Sequence, residues 1–378
     1  MSLAEPPTAD LSRRIVLASS QQDWGGGEAY LTSLAQELRR RGLEVEFLVR
    51  AGSTLQEYVC NEKFSCQTIH GRGRNPWEIF RLRRWLHNQQ PLTLHCNDTH
   101  ALLAAGLAAY GLKSVRVVAM KHTMFPVRSP GKYMHLADRL ICVSNAVADL
   151  CCESGIPIDH LRVIHPGIEQ PQVDPRAVEQ VRQQWLPAGK KHLIVAVGNL
   201  LSCKGHQTLV AAAARLKEMG LRAQTLIAGE GKQRQALESQ IRDFGVAEEV
   251  HLLGFRADAN TLMAAADVVA HPAKSEGLCL TVAAAMMLRR PIVATAVGGL
   301  GEVLGIDQRM DTVGPYGATI EPGDAAQLAH QLHKVLDSRS QQASLEQACN
   351  YAQERFTTLP MTNATLNLYH DLWQNRAA

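Results

Sequence analysis

The residues best suited to chemistry lie in the stretch 271–303, HPAKSEGLCLTVAAAMMLRRPIVATAVGGLGEV. A short apolar strand ends at His271-Pro272, and the loop after it carries one carboxylate, Glu276, and one glycine, Gly277. A run of Ala, Leu and Met then predicts a helix. Residues 292–296 predict another buried strand, and Gly298-Gly299 a second turn. Strand, polar loop and helix start form the layout of a ligand site at the carboxyl edge of a parallel sheet. Unpaired backbone N–H groups at a helix start favour an anion. A carboxylate beside those donors cannot bind the anion itself, so Glu276 reads as an acceptor for neighbouring hydroxyls. Phosphate and polyol together point to a nucleotide sugar.

Three other places carry chemistry. The loop GNLLSCKG at 198–205 sets Lys204 beside a glycine and before a helix. There, charge and backbone donors can meet a phosphate. The plainer alternative is a surface lysine, but the loop's place at the end of a strand favours the phosphate. It lacks the spacing of a nucleotide-binding P-loop. Gly25-Gly26-Gly27 follows the first strand; three glycines exceed what a turn needs, and Gly26 and Gly27 would let the backbone approach a ligand closely. No G-x-G-x-x-G spacing occurs, and the second strand ends in Val49-Arg50 without an acid, which speaks against a nicotinamide site. His122 closes the strand 115–120, where a histidine either touches ligand or is simply a capped polar group.

These residues need a scaffold of alternating strands and helices. Strands are predicted at 14–20, 45–49, 92–97, 115–120, 138–144 and 161–164. Leu31, Leu34, Ala35 and Leu38 line one face of a helix that Gly42 ends. An Ala/Leu-rich helix runs to Tyr110, and Ser144 reads as an N-cap. The prolines at 166, 171, 175 and 187 mark 166–190 as a linker around one short helical piece. A second series follows, with strands at 192–197, 223–228, 250–253 and 267–271 and a helix carrying Leu209, Ala212, Ala213 and Leu216. Asp258 reads as the cap of a short helix. Helices at 324–356, with a break, and 360–376 end the chain. The segment 71–90 holds Arg72, Arg74, Arg81, Arg83 and Arg84 among Trp77, Phe80 and Trp85. It reads first as an amphipathic helix with its aromatics packed on the sheet and its arginines solvated. The alternative is a membrane surface or an anionic acceptor.

A chain of 378 residues suggests two domains. No apolar run reaches membrane-spanning length, and the N-terminus, read as a loose tail, lacks a signal core. A net charge of +3 is too small to argue for nucleic acid. Nine cysteines form no CxxC pair, so a reducing cytoplasm is the simpler setting. No D-x-D at a strand end and no His/Asp group at ligand spacing is visible, so no metal is expected.

With both halves read, the chain resembles a glycosyltransferase of the GT-B architecture, the large retaining family 4, nearly end to end and most strongly over 192–303. Gly25-Gly26-Gly27-Glu28 resembles the family's N-terminal GG loop beside the donor diphosphate. His122 matches its histidine near the donor sugar, and Ser144 its strand-end serine. Residues 163–169, VIHPGIE, resemble the v-i-x-N-G-v-D that closes the first domain. Gly198-Asn199-Leu200 to Lys204-Gly205 resembles G-R-L…K-G, whose basic residues hold the diphosphate. Gly229-Glu230-Gly231 resembles G-d/e-G. Leu253-Gly254-Phe255 resembles the strand end beside the base, and Glu276-Gly277-Leu278-Cys279-Leu280 resembles E-G-f-g-L, whose glutamate accepts sugar hydroxyls. Asn199 stands where the family has arginine, and Ala284 where it has a second, ribose-binding glutamate.

The resemblance implies an α/β fold of two Rossmann-like domains facing a cleft. The acceptor-binding domain is expected at 1–170, with helix 360–376 packed back on it, and the nucleotide-sugar domain at 171–359. It implies a retaining, metal-independent hexosyltransferase that moves a sugar from a UDP- or GDP-type donor to a glycan or lipid-linked acceptor, as in lipopolysaccharide synthesis. The donor is a co-substrate, and no cofactor is implied. The expected setting is cytoplasmic, with a peripheral contact on the inner face of the cell membrane. His122, Lys204 and Glu276 are the expected catalytic residues. Gly26, Gly27, Gly198, Asn199, Lys204, Gly229, Phe255, Arg256, Glu276, Gly277, Leu278, Cys279 and Leu280 are the expected donor contacts. The two departures leave one alternative, a degenerate GT-B protein acting as a binding or scaffolding module.

Overall fold

A computed structural model describes residues 14–70, 75–186, 191–306, 316–337 and 342–374. The N-terminal tail, Arg72 and Arg74 lie outside the described residues. The chain divides into two compact units, Met1–Glu169 with Phe356–Ala378, and Gln170–Arg355.

The first unit is built on seven strands: β1 (Arg14–Ser19), β2 (Val45–Arg50), β3 (Ser65–Ile69), β4 (Leu92–Cys96), β5 (Val115–Lys121), β6 (Arg139–Cys142) and β7 (Leu161–Val163). They pair in parallel in the order β3-β2-β1-β4-β5-β6-β7. Order reverses at β1, so the crevice beyond the carboxyl ends of β1 and β4 is the natural ligand position. The central strands are buried on both faces, so β1 reads as a nearly continuous apolar run, while β4 and β5 bury Thr93, His95 and Arg116 among their apolar residues. The helix Gly26–Arg40 buries Leu31, Leu34, Ala35 and Leu38 as its periodicity requires, and Gly42 ends it at φ 78°.

Some elements escape the sequence pattern. Strand β3 is an edge strand in which only Ile69 is fully buried, so its residues, SCQTI, carry no apolar signal. The helices Thr54–Asn61 and Pro130–Leu136 are short. The helix reaching Tyr110 contains a π-helical stretch, Leu102–Gly106. The helix Pro76–Gln89 corrects a reading: Trp77 and Phe80 are 81% and 63% exposed rather than packed on the sheet. Its buried face is made instead by Leu82, Leu86 and the Glu78 carboxylate, which accepts from His70 N and Arg81. Arg84 is exposed on the same face as Trp77.

The second unit carries β8 (His192–Val197), β9 (Ala223–Ala228), β10 (Val250–Gly254), β11 (Val268–His271), β12 (Ile292–Thr295) and β13 (Ala318–Ile320). The order β10-β9-β8-β11-β12-β13 is again doubly wound, reversing at β8. From Gln170 onward the predicted linker belongs to this unit. Its helix Pro175–Trp185 packs on the helix Ala259–Ala265, and Arg182 Nη1 donates to Ala265 O (2.5 Å) and Asp267 Oδ1 (3.1 Å). Leu209, Ala212, Ala213 and Leu216 enter one core with Ile194, Ile227 and Leu328.

The chain returns to the first unit through the helix Thr358–Gln374, which packs on Gly26–Arg40. Tyr369 OH bonds His95 Nδ1 at 2.7 Å, Trp373 Nε1 donates to Thr93 Oγ1 at 3.0 Å, and the Arg116 guanidinium stacks on the Trp373 ring at 4.3 Å. The entry point is a short parallel bridge between Ile168 and Thr357. There Ile168 N donates to Phe356 O (2.9 Å) and Thr358 N to Ile168 O (3.1 Å). A methyl group on Gly167 would stand 2.0 Å from Thr357 O, so only glycine lets the two backbones meet. Gly167→Ala should therefore cost about 1–3 kcal/mol, the range for overpacking a close contact. Urea unfolding measures the loss, and tryptic release of the C-terminal helix should accelerate. An unchanged midpoint would show that the bridge yields freely.

Candidate active site

In the second unit two loops are fastened together, and that fastening places the charged residues. Gly205 adopts φ 70°, and a Cβ there would lie 1.8 Å from Pro272 O. Lys274 N donates to Cys203 O at 2.7 Å. The lysine loop after β8 therefore lies directly on the glutamate loop after β11. The glutamate loop is held from its other side by Thr295 Oγ1 donating to Ala273 O (2.6 Å) and by Gly299 N donating to Glu276 O (3.1 Å).

Within this frame Lys204 Nζ lies 2.5 Å from Glu276 Oε1, and His271 Nε2 lies 2.8 Å from the same oxygen. Cys279 Sγ is 3.3 Å from His271 Nε2. An ionised carboxylate only accepts, so Nε2 carries the hydrogen. Burial by itself would raise the Glu276 carboxyl, but the bond from His271 and the charge of Lys204 outweigh it and hold the group at about 2. Burial likewise opposes charge on His271, yet the Cys279 sulfur and the Glu276 carboxylate raise it to about 9. Lys204 is also raised: burial lowers it, and Glu276 more than compensates. The arrangement is a buried carboxylate between two cations. It can accept hydroxyls while the lysine meets an anion.

Beside it starts the helix Leu280–Met287. No side chain caps it; its N-cap Cys279 holds φ 90°, a left-handed value unusual for a residue with a side chain. Leu278 is buried in the same turn, next to Gly277. Ala284, on this helix, is buried at 4% exposure and supplies no second carboxylate.

Other expected contacts fare differently. Gly198 and Gly229 are expected donor contacts, and their amides are engaged within the scaffold: Gly198 N donates to Ala228 O (2.9 Å) and Gly229 N to Gly254 O (2.8 Å). Asn199 is exposed. Phe255 is 78% exposed. Arg256 forms a two-pronged pair with Asp258, 2.7 Å at each contact, and the Asp258 side chain makes no cap of its helix. The expectation of no clustered ligand atoms also needs correction. His271, Glu276 and Cys279, separated by sequence gaps that fit no standard spacing, bring N, O and S donors within 4.8 Å of one another. His271 was missed as a site residue, although a strand-end histidine five residues before the glutamate was its available signal. His206 was missed too. It is buried beside Gly198 and Lys204, and burial holds its imidazole down at about 4.

The first unit gathers a separate polar cluster where β1, β4 and β5 end. Asp98 accepts from Ser20 N (2.7 Å) and Ser20 Oγ (2.5 Å) and caps the turn at His100 and Ala101. Glu28, in the first turn of the glycine-started helix, is buried and accepts from Ser19 Oγ at 2.9 Å; burial raises its carboxyl. His122 Nε2 bonds Asn97 Oδ1 at 2.7 Å, and its ring meets Tyr30 edge-on at 5.7 Å. Burial lowers His122 to about 4, so the ring is neutral at pH 7. Gly27 is a packing requirement here, because a Cβ would sit 2.8 Å from Asn97 Nδ2 and 3.5 Å from His122 Nε2. Gly26 has nothing within 4 Å of that position, which is the open space a ligand approach needs. Ser144 Oγ accepts from Val147 N at 3.2 Å, the cap its position implies. Asn97 and Asp98 gave no motif signal.

The linked titrations have a defined sign. A histidine raised from 6.5 to about 9 adds stability fully present below 6.5 and lost as pH rises to about 9. A carboxyl lowered from 4.5 to about 2 adds stability present above 4.5 and lost as pH falls to about 2. Wild-type melting temperature should exceed that of His271→Asn most between pH 4.5 and 6.5, and the gap should narrow toward pH 9. Differential scanning fluorimetry across pH reads this directly, and a gap that widens with pH would remove the charged imidazole.

Comparison with known proteins places this geometry. Residues 177–355 match the pattern described as glycosyl transferases group 1, and residues 24–170 match glycosyltransferase family 4. A D-inositol 3-phosphate glycosyltransferase of Xylanimonas cellulosilytica is 28% identical over 94% of each chain. The lipopolysaccharide glucosyltransferase WaaG of Escherichia coli is 30% identical over 62% of this chain and 61% of its own. In fold, the chain is similar to Anabaena Alr3699/HepE in complex with UDP-glucose, at 21% identity and TM-score 0.80, covering 94% of this chain and 99% of that one. It is also similar to a glycosyltransferase from Rickettsia africae, at 18% identity and TM-score 0.84, covering 96% and 99%. Two doubly wound units, the lysine and glutamate loops of the second, and both matched patterns lead to one conclusion: the chain belongs to the group 1, family 4 glycosyltransferases of GT-B architecture.

Proposed function

We propose that this enzyme transfers a sugar from a uridine diphosphate sugar to a glycan or lipid-linked acceptor, with retention of anomeric configuration and without a metal ion. The observation that carries the proposal is the Lys204–Glu276 pair of 2.5 Å beside the uncapped start of the helix Leu280–Met287. The solved complexes of the Anabaena protein with UDP and with UDP-glucose support the uridine donor. The similarity to the E. coli lipopolysaccharide glucosyltransferase supports a lipopolysaccharide-type acceptor.

In this reading the ion pair exchanges partners. The donor diphosphate takes the ammonium of Lys204, and Glu276 turns to the hydroxyls of the donor sugar while His271 keeps it ionised. Lys204 and the amides of the helix start then face the charge that grows on the leaving diphosphate, fixed donors that need no reorganisation. A diphosphate oxygen accepts the acceptor's proton as the new bond forms on the face that the leaving group departs. The first unit carries the acceptor, with His122 as a neutral hydrogen-bonding group. The exposed Trp77 and Phe80, with Arg84 on the same helix face, are an amphipathic surface suited to a peripheral contact with an anionic membrane.

Removing a charge aimed at the leaving group typically costs about a hundredfold or more in turnover. Lys204→Ala should show that loss with far-UV dichroism unchanged, and near-wild-type turnover of UDP-glucose would sink the assignment. Glu276→Gln should lose about tenfold to a hundredfold, the worth of a charged hydrogen bond. A second reading, a binding module with a degenerate donor site, is favoured by Asn199 and Ala284. Calorimetric titration with UDP and GDP separates the two, because binding of neither supports the module.

The membrane contact has its own test. Trp77→Ala with Phe80→Ala should abolish most co-sedimentation with phosphatidylglycerol vesicles and leave turnover of a water-soluble acceptor intact. Equal sedimentation of both proteins would remove this helix from the membrane.

A further inference from the structure

The thiol of Cys279 has no part in the transfer just described, yet it stands at the centre of the site. It replaces the glycine of the motif that residues 276–280 resemble, in a left-handed conformation that costs a residue with a side chain. The side chain thus placed reaches the one imidazole that also holds the sugar-site carboxylate. We propose that His271, Glu276 and Cys279 form a site for a thiophilic divalent cation of the zinc type, and that its occupation excludes the donor sugar.

Imidazole nitrogen, carboxylate oxygen and thiolate sulfur are the ligand set that zinc prefers, and three protein ligands with one open position suit an exchangeable ion. The donor atoms lie within 4.8 Å of one another, with Oε1 at 2.8 Å and Sγ at 3.3 Å from Nε2. A tetrahedral ion bonded at roughly 2.0–2.3 Å needs Nε2 and Oε1 about half an ångström further apart and Nε2 and Sγ a few tenths further apart, within reach of side-chain rotation. The ligands are anchored at a strand end, in a loop held on both sides, and at the first turn of a helix, so the set is preformed. Coordination releases the protons of Nε2 and Sγ and leaves the sulfur as thiolate. Lys204 opposes the ion: its ammonium bonds the same Oε1 at 2.5 Å and must be displaced. The competing ammonium weakens binding and keeps the ion exchangeable. A metal-bound Glu276 cannot accept sugar hydroxyls. This exclusion rests on the donor reading above, whereas the metal site itself does not.

The test titrates cobalt(II), a spectroscopic substitute for zinc, into the reduced full-length protein in a non-chelating buffer. One equivalent should produce a sulfur-to-cobalt charge-transfer band, and zinc should displace it. Cys279→Ser, Cys279→Gly and His271→Asn should each weaken binding by about a hundredfold or more, since losing even an outer partner of a metal ligand costs about 10–100-fold. Lys204→Met should tighten binding by roughly tenfold, because it removes a charged competitor for the carboxylate. A missing band, a band that survives Cys279→Ser, or no tightening in Lys204→Met overturns the site. UDP-glucose binding is measured first on metal-free protein. Its absence sinks the donor reading and leaves the cobalt result to stand by itself, while binding undiminished by saturating zinc overturns the exclusion.

Discussion

A lysine ammonium and a glutamate carboxylate 2.5 Å apart, both largely out of water, are a costly arrangement unless every remaining polar atom is answered. Here the answer is His271, which lies 2.8 Å from the same oxygen and shares its charge. The rest of the second unit can be understood as what keeps this trio in place. Gly205 lets one loop lie on the carbonyl of Pro272, Cys203 accepts from Lys274, and Gly299 and Thr295 hold the far side. Loosening any one of these contacts leaves a buried charge short of a partner, which is far more expensive than losing an ordinary hydrogen bond.

The first unit solves a different problem with the same topology. Its histidine is neutral where that of the other is charged: His122 is held uncharged by burial and fixed by Asn97, and burial raises the neighbouring Glu28 carboxyl. Behind it, buried rings lead from His122 through Tyr30 and His95 to Tyr369 on the returning helix. The C-terminal helix is therefore part of the wall that supports His122, although more than two hundred residues separate them in sequence. Each unit places its polar residues where the strand order reverses, the one edge of an open parallel sheet where loops diverge and leave room.

The resemblance and the structure differ most instructively over glycine. Gly198 and Gly229 were legible as donor contacts, and Gly205 as part of the loop that carries Lys204. The fold uses the first two to join neighbouring loops through their amides, and the third to press one loop on another. Gly205 thereby seats the loop of Lys204 on the loop of Glu276. The absence of charge at Asn199 and Ala284 is real in the structure as well. One side chain is exposed, and the other is a methyl group against the core.

Local sequence determined the alternation of strands and helices in two series, the apolar stripes of the helices Gly26–Arg40 and His206–Glu218, and the strand-end positions of Lys204, Glu276 and His122. All of these follow from periodicity or from strand-end position, which are properties of neighbouring residues. It did not determine that Trp77 and Phe80 would lie in solvent, because a helix with apolar residues on two faces does not say which face the sheet takes. Nor did it determine the pairing of His271 with Glu276 and Cys279, the engagement of Arg256 by Asp258, or the support of His122 by Asn97. Those contacts depend on side-chain direction at turns and on which loops abut across a strand reversal. Only the closed three-dimensional packing sets these, because it decides which loops abut and which polar side chains lose water together, and a buried polar group is costly without a partner.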